Sequence, residues 1–404
     1  MKQVLRVMVL ACLCVAMAAT VRAGAPTAPG FHAVEPADAT VVLKWDNSEG
    51  DVEWYHVYRS TSKGGPYEPV DRMKKFRATS KLHGVVPNGP LKNGTTYYYV
   101  LRAESHDGQM SLPSRELSAT PRRNTQVPVP RIVGRWWQAA PNSPDLEQYD
   151  NGDKDNACDF TLFQAQDGSW QLISCIRSTK HPGRTRLLYR WEAENITDTD
   201  WTPKGIFATS QPEPPYGEVL GRMQAPHCLL LDGTYHMFYN SAGAHLMTSD
   251  DGKQFERTPN RAGSYQHFTM GRDVYVLDNT DVDGKWYAYY TNNKPGMAVR
   301  SATDLLGPWS EEEKQVLHHG FFESPFVQRY AERYYLFAPC KVFVSDDPLD
   351  FDKPLLTNLY DEAGTSKAAI EIVQDRQGQW YIAGYGKGLY IARLQWEHPE
   401  KASQ

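Results

Sequence analysis

Between residues 27 and 120 apolar and polar positions alternate in short runs broken by Gly, Pro, Asn and Asp, with almost no helical period. The alternation predicts strands at residues 41–45, 54–59 and 97–103. Residues 121–130, PRRNTQVPVP, read as an extended, semi-rigid linker. From about Arg131 the pattern changes and begins to repeat. A tight polar turn leads into an aromatic-rich strand at Asp167-Gly168-Ser169-Trp170, Asp232-Gly233-Thr234-Tyr235, Asp283-Gly284-Lys285-Trp286, Glu332-Arg333-Tyr334 and Gln377-Gly378-Gln379-Trp380. The aromatic positions lie 65, 51, 48 and 46 residues apart, and further strands follow at 248–255, 300–309 and 344–351. Each unit has room for four short strands, the content of one propeller blade. Four strands cannot bury both faces alone, but five such sheets stacked radially can. The expectation is all-β: a module of short strands over 24–120, the linker, and a five-bladed β-propeller over 131–404.

Composition narrows the function. With 11 Trp, 23 Tyr and 14 Phe in 404 residues, the chain has ample apolar area to fold. The formal net charge is −5, or −8 without residues 1–23 (40 basic against 48 acidic residues), and no basic run interrupts the sequence. That excludes a nucleic-acid binder. Residues 1–23 read as a secretory signal: Lys2 and Arg6, an apolar run over 7–19, then Val21-Arg22-Ala23 with small side chains before the cleavage point. The run is shorter than the ~20 residues a spanning helix needs, so the expected product is secreted or periplasmic, without a membrane span. Cys158, Cys175, Cys228 and Cys340 remain after cleavage. Three pairings or four free thiols are open, and Cys158 and Cys175 fall one diagonal step apart on neighbouring strands.

In a propeller the innermost strand of each blade faces the axis. Reading back from each aromatic marker gives the residues that open those strands. They are Asp159 (11 before Trp170), Pro226-His227 (9 and 8 before Tyr235), Asp273 (13 before Trp286), Glu323 (11 before Tyr334) and Glu371 (9 before Trp380). Three of these blades place a carboxylate, Asp159, Asp273 or Glu323, at nearly the same register and flanked by apolar residues, where desolvation makes a charge costly. Carboxylates converging on one cavity suit glycoside hydrolysis, in which one group gives a proton to the leaving oxygen while another activates water. Glu323 is the expected acid, its affinity for the proton raised by Phe321, Phe322 and Phe326. Asp159 is the expected base, with Asp153 and Asp155 close by in sequence. Asp273, beside Arg272, is expected to stay charged and tune the acid, against the alternative of a buried structural ion pair. Gln224, His227, Arg272 and Trp137 are candidate sugar contacts, although His227 reads equally as a structural histidine. Five units rather than six, and no tyrosine nucleophile with an arginine triad, argue against a sialidase.

The N-terminal segment resembles a fibronectin type III domain in Trp45, the Tyr55-x-x-Tyr58 pair, the Leu91-x5-Tyr97 corner around Asn93-Gly94, and the closing residues 111–121. The resemblance implies that Trp45, Tyr58 and Tyr97 are core residues of an immunoglobulin-like β-sandwich, with the Tyr97 hydroxyl tied to an upstream backbone group. From about 155 to 397 the chain resembles the five-bladed propeller glycoside hydrolases, especially family 43 with relatives in families 32, 62 and 117. The matching stretches are Gln224-Ala225-Pro226-His227 with Tyr235-His236-Met237-Phe238-Tyr239, Gly271-Arg272-Asp273, Glu323-Ser324-Pro325-Phe326 with Tyr334-Tyr335-Leu336-Phe337, and Gly388-Leu389-Tyr390. The resemblance implies an inverting glycosidase with Asp159 as base, Asp273 as modulator and Glu323 as acid, acting on an oligo- or polysaccharide. Ser366-Lys367-Ala368-Ala369 stands where many relatives carry a histidine associated with an axial metal. No cofactor or calcium is therefore expected.

Overall fold

The alternating pattern becomes strand almost throughout. The computed structural model describes residues 24–75, 90–292, 296–318, 320 and 322–399, and helix there is confined to single turns. The signal-like residues 1–23 lie outside the described residues. The chain divides into two compact units, one ending at Arg123 and the other starting at Asn124.

In the first unit Gly30–Ala37 pairs with Thr40–Asp46, and a second sheet has the order Glu68–Lys74, Trp54–Ser60, Tyr97–Glu104, Leu117–Ala119. Phe31, Val41, Leu43, Trp45, Tyr55, Val57, Tyr99 and Leu101 form its buried core. Trp45 meets Tyr55 edge-on at 5.6 Å. The Tyr97 hydroxyl accepts the Lys92 backbone N–H at 3.1 Å. Tyr58 is half-buried and does not belong to that core. Alternate residues of a strand face opposite sides, so a three-residue spacing lets Tyr55 take the interior place that was expected of Tyr58.

The second unit contains five antiparallel sheets. Their innermost strands are Asn156–Gln164, Gln224–Leu231, Arg272–Asn279, Phe326–Tyr330 and Ala368–Gln374 (sheets I to V). Each innermost strand packs against those of the preceding and following sheets, and that of sheet V packs against that of sheet I. This closed ring of five sheets is the arrangement of a five-bladed propeller. Trp170, Tyr235, Trp286, Tyr334 and Trp380, which mark the repeat, all stand at the first or second position of the second strand in their sheet. Trp170, Tyr235, Trp286 and Tyr334 are buried, and burying such a side chain contributes about 2–3 kcal/mol.

Sheet V is completed by Val129–Ala140, which pairs with Gly388–Glu397 and so joins the two ends of the ring. The Pro-rich segment therefore turns into strand at Val129, before its last proline. The Cys158–Cys175 geometry also differs from the expected diagonal. A bulge after Cys158 brings the two directly opposite each other, and all four cysteines are free thiols.

Candidate active site

The innermost strands share a local irregularity. In sheets II, III and V the pairing slips where the strand begins, so that the register jumps across Ala225-Pro226, Asp273-Val274 and Ala369-Ile370. In sheet I the extra residue is Asp159. Ala225, Asp273 and Ala369 have φ of 48°, 60° and 48°, and Ser324, just before the sheet IV strand, has 50°. A bulge kinks a strand and re-aims the side chain within it. A left-handed conformation at a non-glycine residue is strained, and Asp tolerates it better than most. Sequence offsets from the aromatic markers blurred this equivalence, because turn lengths differ; the single helical turn Thr280–Asp283 lengthens the reach in sheet III.

These bulges gather the three carboxylates. Arg272 holds two of them: its Nε lies 3.3 Å from Asp273 Oδ2, and a terminal nitrogen donates to Glu323 Oε1. Ser324 links the other pair. Its hydroxyl donates to Asp159 Oδ1 at 2.8 Å, and its backbone N–H faces Asp273. The Thr291 hydroxyl donates to Asp273 Oδ2 at 3.3 Å. Burial, then the Asp159 charge, drives the Asp273 carboxyl well above the usual carboxylate range, against the pull of Arg272. Asp159 is also raised, mainly by burial, with the Glu323 charge adding and the Ser324 hydroxyl opposing. Asp159 and Asp273, both buried near each other's charge, cannot be ionised together cheaply, so the pair binds a proton readily.

Two electrostatic expectations reverse here. The Glu323 side chain is 60 % exposed and paired with Arg272, not enclosed by apolar rings. Phe326 instead packs on Tyr275 at 4.5 Å, Phe322 packs on Phe343, and Phe321 lies outside the described residues. Asp273, expected to stay charged, is the carboxyl that burial most favours in protonated form. Two residues not singled out from the sequence join the site. Ser324 is one, and Tyr385 of sheet V is the other, its hydroxyl pushed up by burial and by the Asp159 charge.

One layer further along the strands, His227, Tyr275, Phe326 and Glu371 occupy matching places in sheets II to V. The His227 ring lies 4.3 Å from that of Tyr275. His227 Nδ1 is 3.3 Å from Glu371 Oε1, and its Nε2 is 3.2 Å from the Val276 carbonyl. Glu371 Oε2 accepts the Leu162 N–H at 2.7 Å. Every polar atom in this pair is engaged, so His227 is a structural residue and not part of the carboxylate cluster. The layer forms the wall of a cavity of about 650 Å³, which extends along the ends of the strands past Arg329 and includes none of the three carboxylates.

Gln224 stands at the place in sheet II that Arg272 holds in sheet III. Trp137 does not reach the axis: it lies on the outermost strand of sheet V and packs edge-on against Tyr381 at 6.4 Å. The expected sugar contact there fails because residues 129–140 form the strand that closes the ring. Asp155 caps the turn at Asn151 N–H and Asp153 lies in a short 3-10 turn. Among the described residues, no group of three or more His, Cys, Asp and Glu side chains is placed to hold a metal ion. The donors nearest the axis, His227 and Glu371, already satisfy each other. The residues present do not fit an axial cation, and no step below uses one.

No family model matches the chain, and no curated protein does. Solved structures similar to it include a thermostable family-43 glycoside hydrolase (16% identity, 63% of this chain and 96% of that one, TM-score 0.44). A β-xylosidase/α-arabinofuranosidase from a compost microbial metagenome, solved with xylotriose, is 15% identical over 66% of this chain and 95% of that one, at TM-score 0.43. A family 117 glycoside hydrolase from the marine bacterium Zobellia galactanivorans is 14% identical over 66% and 91%, at TM-score 0.45. Likenesses at TM-scores below 0.5 carry no weight on chemistry; the side chains carry it.

Proposed function

We propose that this chain is an exported glycoside hydrolase that cleaves an oligo- or polysaccharide with inversion, its catalytic propeller preceded by a fibronectin type III-like module. The observation that carries the reading is the meeting of Asp159, Asp273 and Glu323, from three separate blades, around Arg272 and Ser324. Asp159, held by the Ser324 hydroxyl, takes a proton from water as the water oxygen bonds to the anomeric carbon. Glu323, the exposed member, gives a proton to the departing glycosidic oxygen as its bond to that carbon breaks. A saccharide bound over the cluster covers Glu323, displaces its contact with Arg272 and excludes water from it. Asp273, through its contact with Arg272, fixes the position of that guanidinium beside the acid as the bond breaks.

A second reading, a propeller that binds a glycan without cleaving it, is favoured by one feature. Glu323 is engaged in an ion pair with Arg272 in the free protein. A panel of aryl arabinosides, xylosides, galactosides and fucosides, with NMR of the first-formed anomer, separates the readings. Release of the inverted anomer is expected. The retained anomer would overturn inversion, and binding without cleavage across the panel would favour the second reading.

A further inference from the structure

Positive charge that the sequence scatters is also gathered beside Asp159. Residues 179–186 and 211–222 are laced backbone to backbone: Arg184 N–H donates to the Leu220 carbonyl at 3.0 Å and Arg186 N–H to the Gly221 carbonyl at 2.8 Å. The approach needs two glycines. A Cβ on Gly183 would stand 2.1 Å from the Leu220 carbonyl oxygen, and one on Gly221 would stand 2.2 Å from that of Pro182. The lacing brings Arg184 and Arg186 up to Arg222, whose guanidinium is held below its ordinary value by burial and by those two like charges. Arg186 and Arg177 also reach Asp159 electrostatically. Arg177 is engaged with the Asn156 side chain. Among the described residues, none of Arg184, Arg186 and Arg222 forms an ion pair.

Some arginines of the second unit find acids, as Arg257 does with Glu218, Arg261 with Asp304 and Arg329 with Asp281, and others, such as Arg190 and Arg300, donate to backbone carbonyls. A chain of net charge −5 has carboxylates to spare, yet this cluster, with one member half-buried, forms no ion pair among the described residues, and Asp159 acts on Arg186 through space alone. Like charges held together destabilise the fold unless an anion offsets them, and guanidinium forks match carboxylate and sulfate oxygens.

We propose that Arg184, Arg186 and Arg222 form an anion subsite beside Asp159, so that the saccharide bound here carries a carboxylate or a sulfate ester near the scissile bond. This rests on the glycosidase reading for its purpose but not for its detection. The test is titration of the intact protein with glucuronate, galacturonate and galactose 6-sulfate against neutral glucose and galactose at fixed ionic strength. Charged sugars should bind at least about tenfold tighter than their neutral counterparts and weaken as salt rises. Preference for the uronates identifies a carboxylate, and preference for galactose 6-sulfate identifies a sulfate ester. Arg186→Gln combined with Arg222→Gln should remove the preference. Protection of the three arginines from phenylglyoxal by the preferred sugar gives a readout on the wild-type protein, should that variant fail to fold. Equal affinity for charged and neutral sugars, no binding of any of them, or a preference surviving in the folded double variant would overturn the subsite. Charged-sugar preference with no hydrolysis of any glycoside would instead leave the subsite standing and remove the glycosidase reading.

Discussion

Two adjacent layers along the propeller axis hold titratable groups from the innermost strands of different sheets, and they are built on opposite principles. In the deeper layer His227 and Glu371 satisfy each other, the Leu162 N–H and the Val276 carbonyl, between the rings of Tyr275 and Phe326. In the bulge layer Asp159, Asp273 and Glu323 outnumber the one guanidinium among them, and Asp273 is buried at a strained backbone angle. A buried polar group whose partners are complete stabilises one packing. A cluster with surplus like charge costs stability and persists where it serves chemistry. The contrast separates structure from site without reference to any relative.

The largest expected effect tests the bulge layer. Asp159→Ala should lower kcat about a thousandfold or more while saccharide affinity, measured by titration, changes little. A loss confined to affinity would make Asp159 a binding residue. In the deeper layer Glu371→Ala should act on stability instead. It orphans the Leu162 N–H and His227, costing about 2–4 kcal/mol by denaturant unfolding. A stable Glu371→Ala protein without activity would move Glu371 into the site.

Asp273→Asn should lower activity about a hundredfold and yet stabilise the fold by about 1 kcal/mol at neutral pH. An asparagine suits the left-handed angle, and the substitution removes a buried charge. The sign follows from linkage. The folded-state carboxyl holds its proton to higher pH than the unfolded one, so the wild type loses stability as pH rises from about 4 through the raised value. The advantage of the Asp273→Asn variant should therefore vanish near pH 4 and grow toward neutrality, as melting curves across that range can check. Ser324→Ala, the mildest change, should cost about tenfold in kcat and shift the acidic limb of the pH–rate profile upward, because Asp159 loses its hydroxyl donor. An unmoved limb would reduce Ser324 to a spacer.

The ring of sheets was legible because each aromatic marker had to recur where one sheet packs on the next, and all five fell at the start of a second strand. The candidate acids were legible because a carboxylate between apolar neighbours is costly and therefore conspicuous. Their electrostatic roles were not. Burial of Asp273 depends on a one-residue bulge, and exposure of Glu323 on the loop before Phe326, neither of which alternation can register. Trp137 misled because strand closure by residues 129–140 joins positions as far apart in sequence as Gln138 and Lys387. The arginine cluster was invisible for a related reason. Its members are scattered singly over 184–222 and meet through backbone contacts at Gly183 and Gly221.

The central claim concerns Glu323, and one paired measurement on Glu323→Gln addresses it: hydrolysis and equilibrium binding of the same saccharide. The amide keeps the shape of the side chain and cannot give up a proton to a leaving oxygen. Turnover falling about a thousandfold or more, with affinity within a few-fold of wild type, is the predicted result. Undiminished turnover would contradict the account.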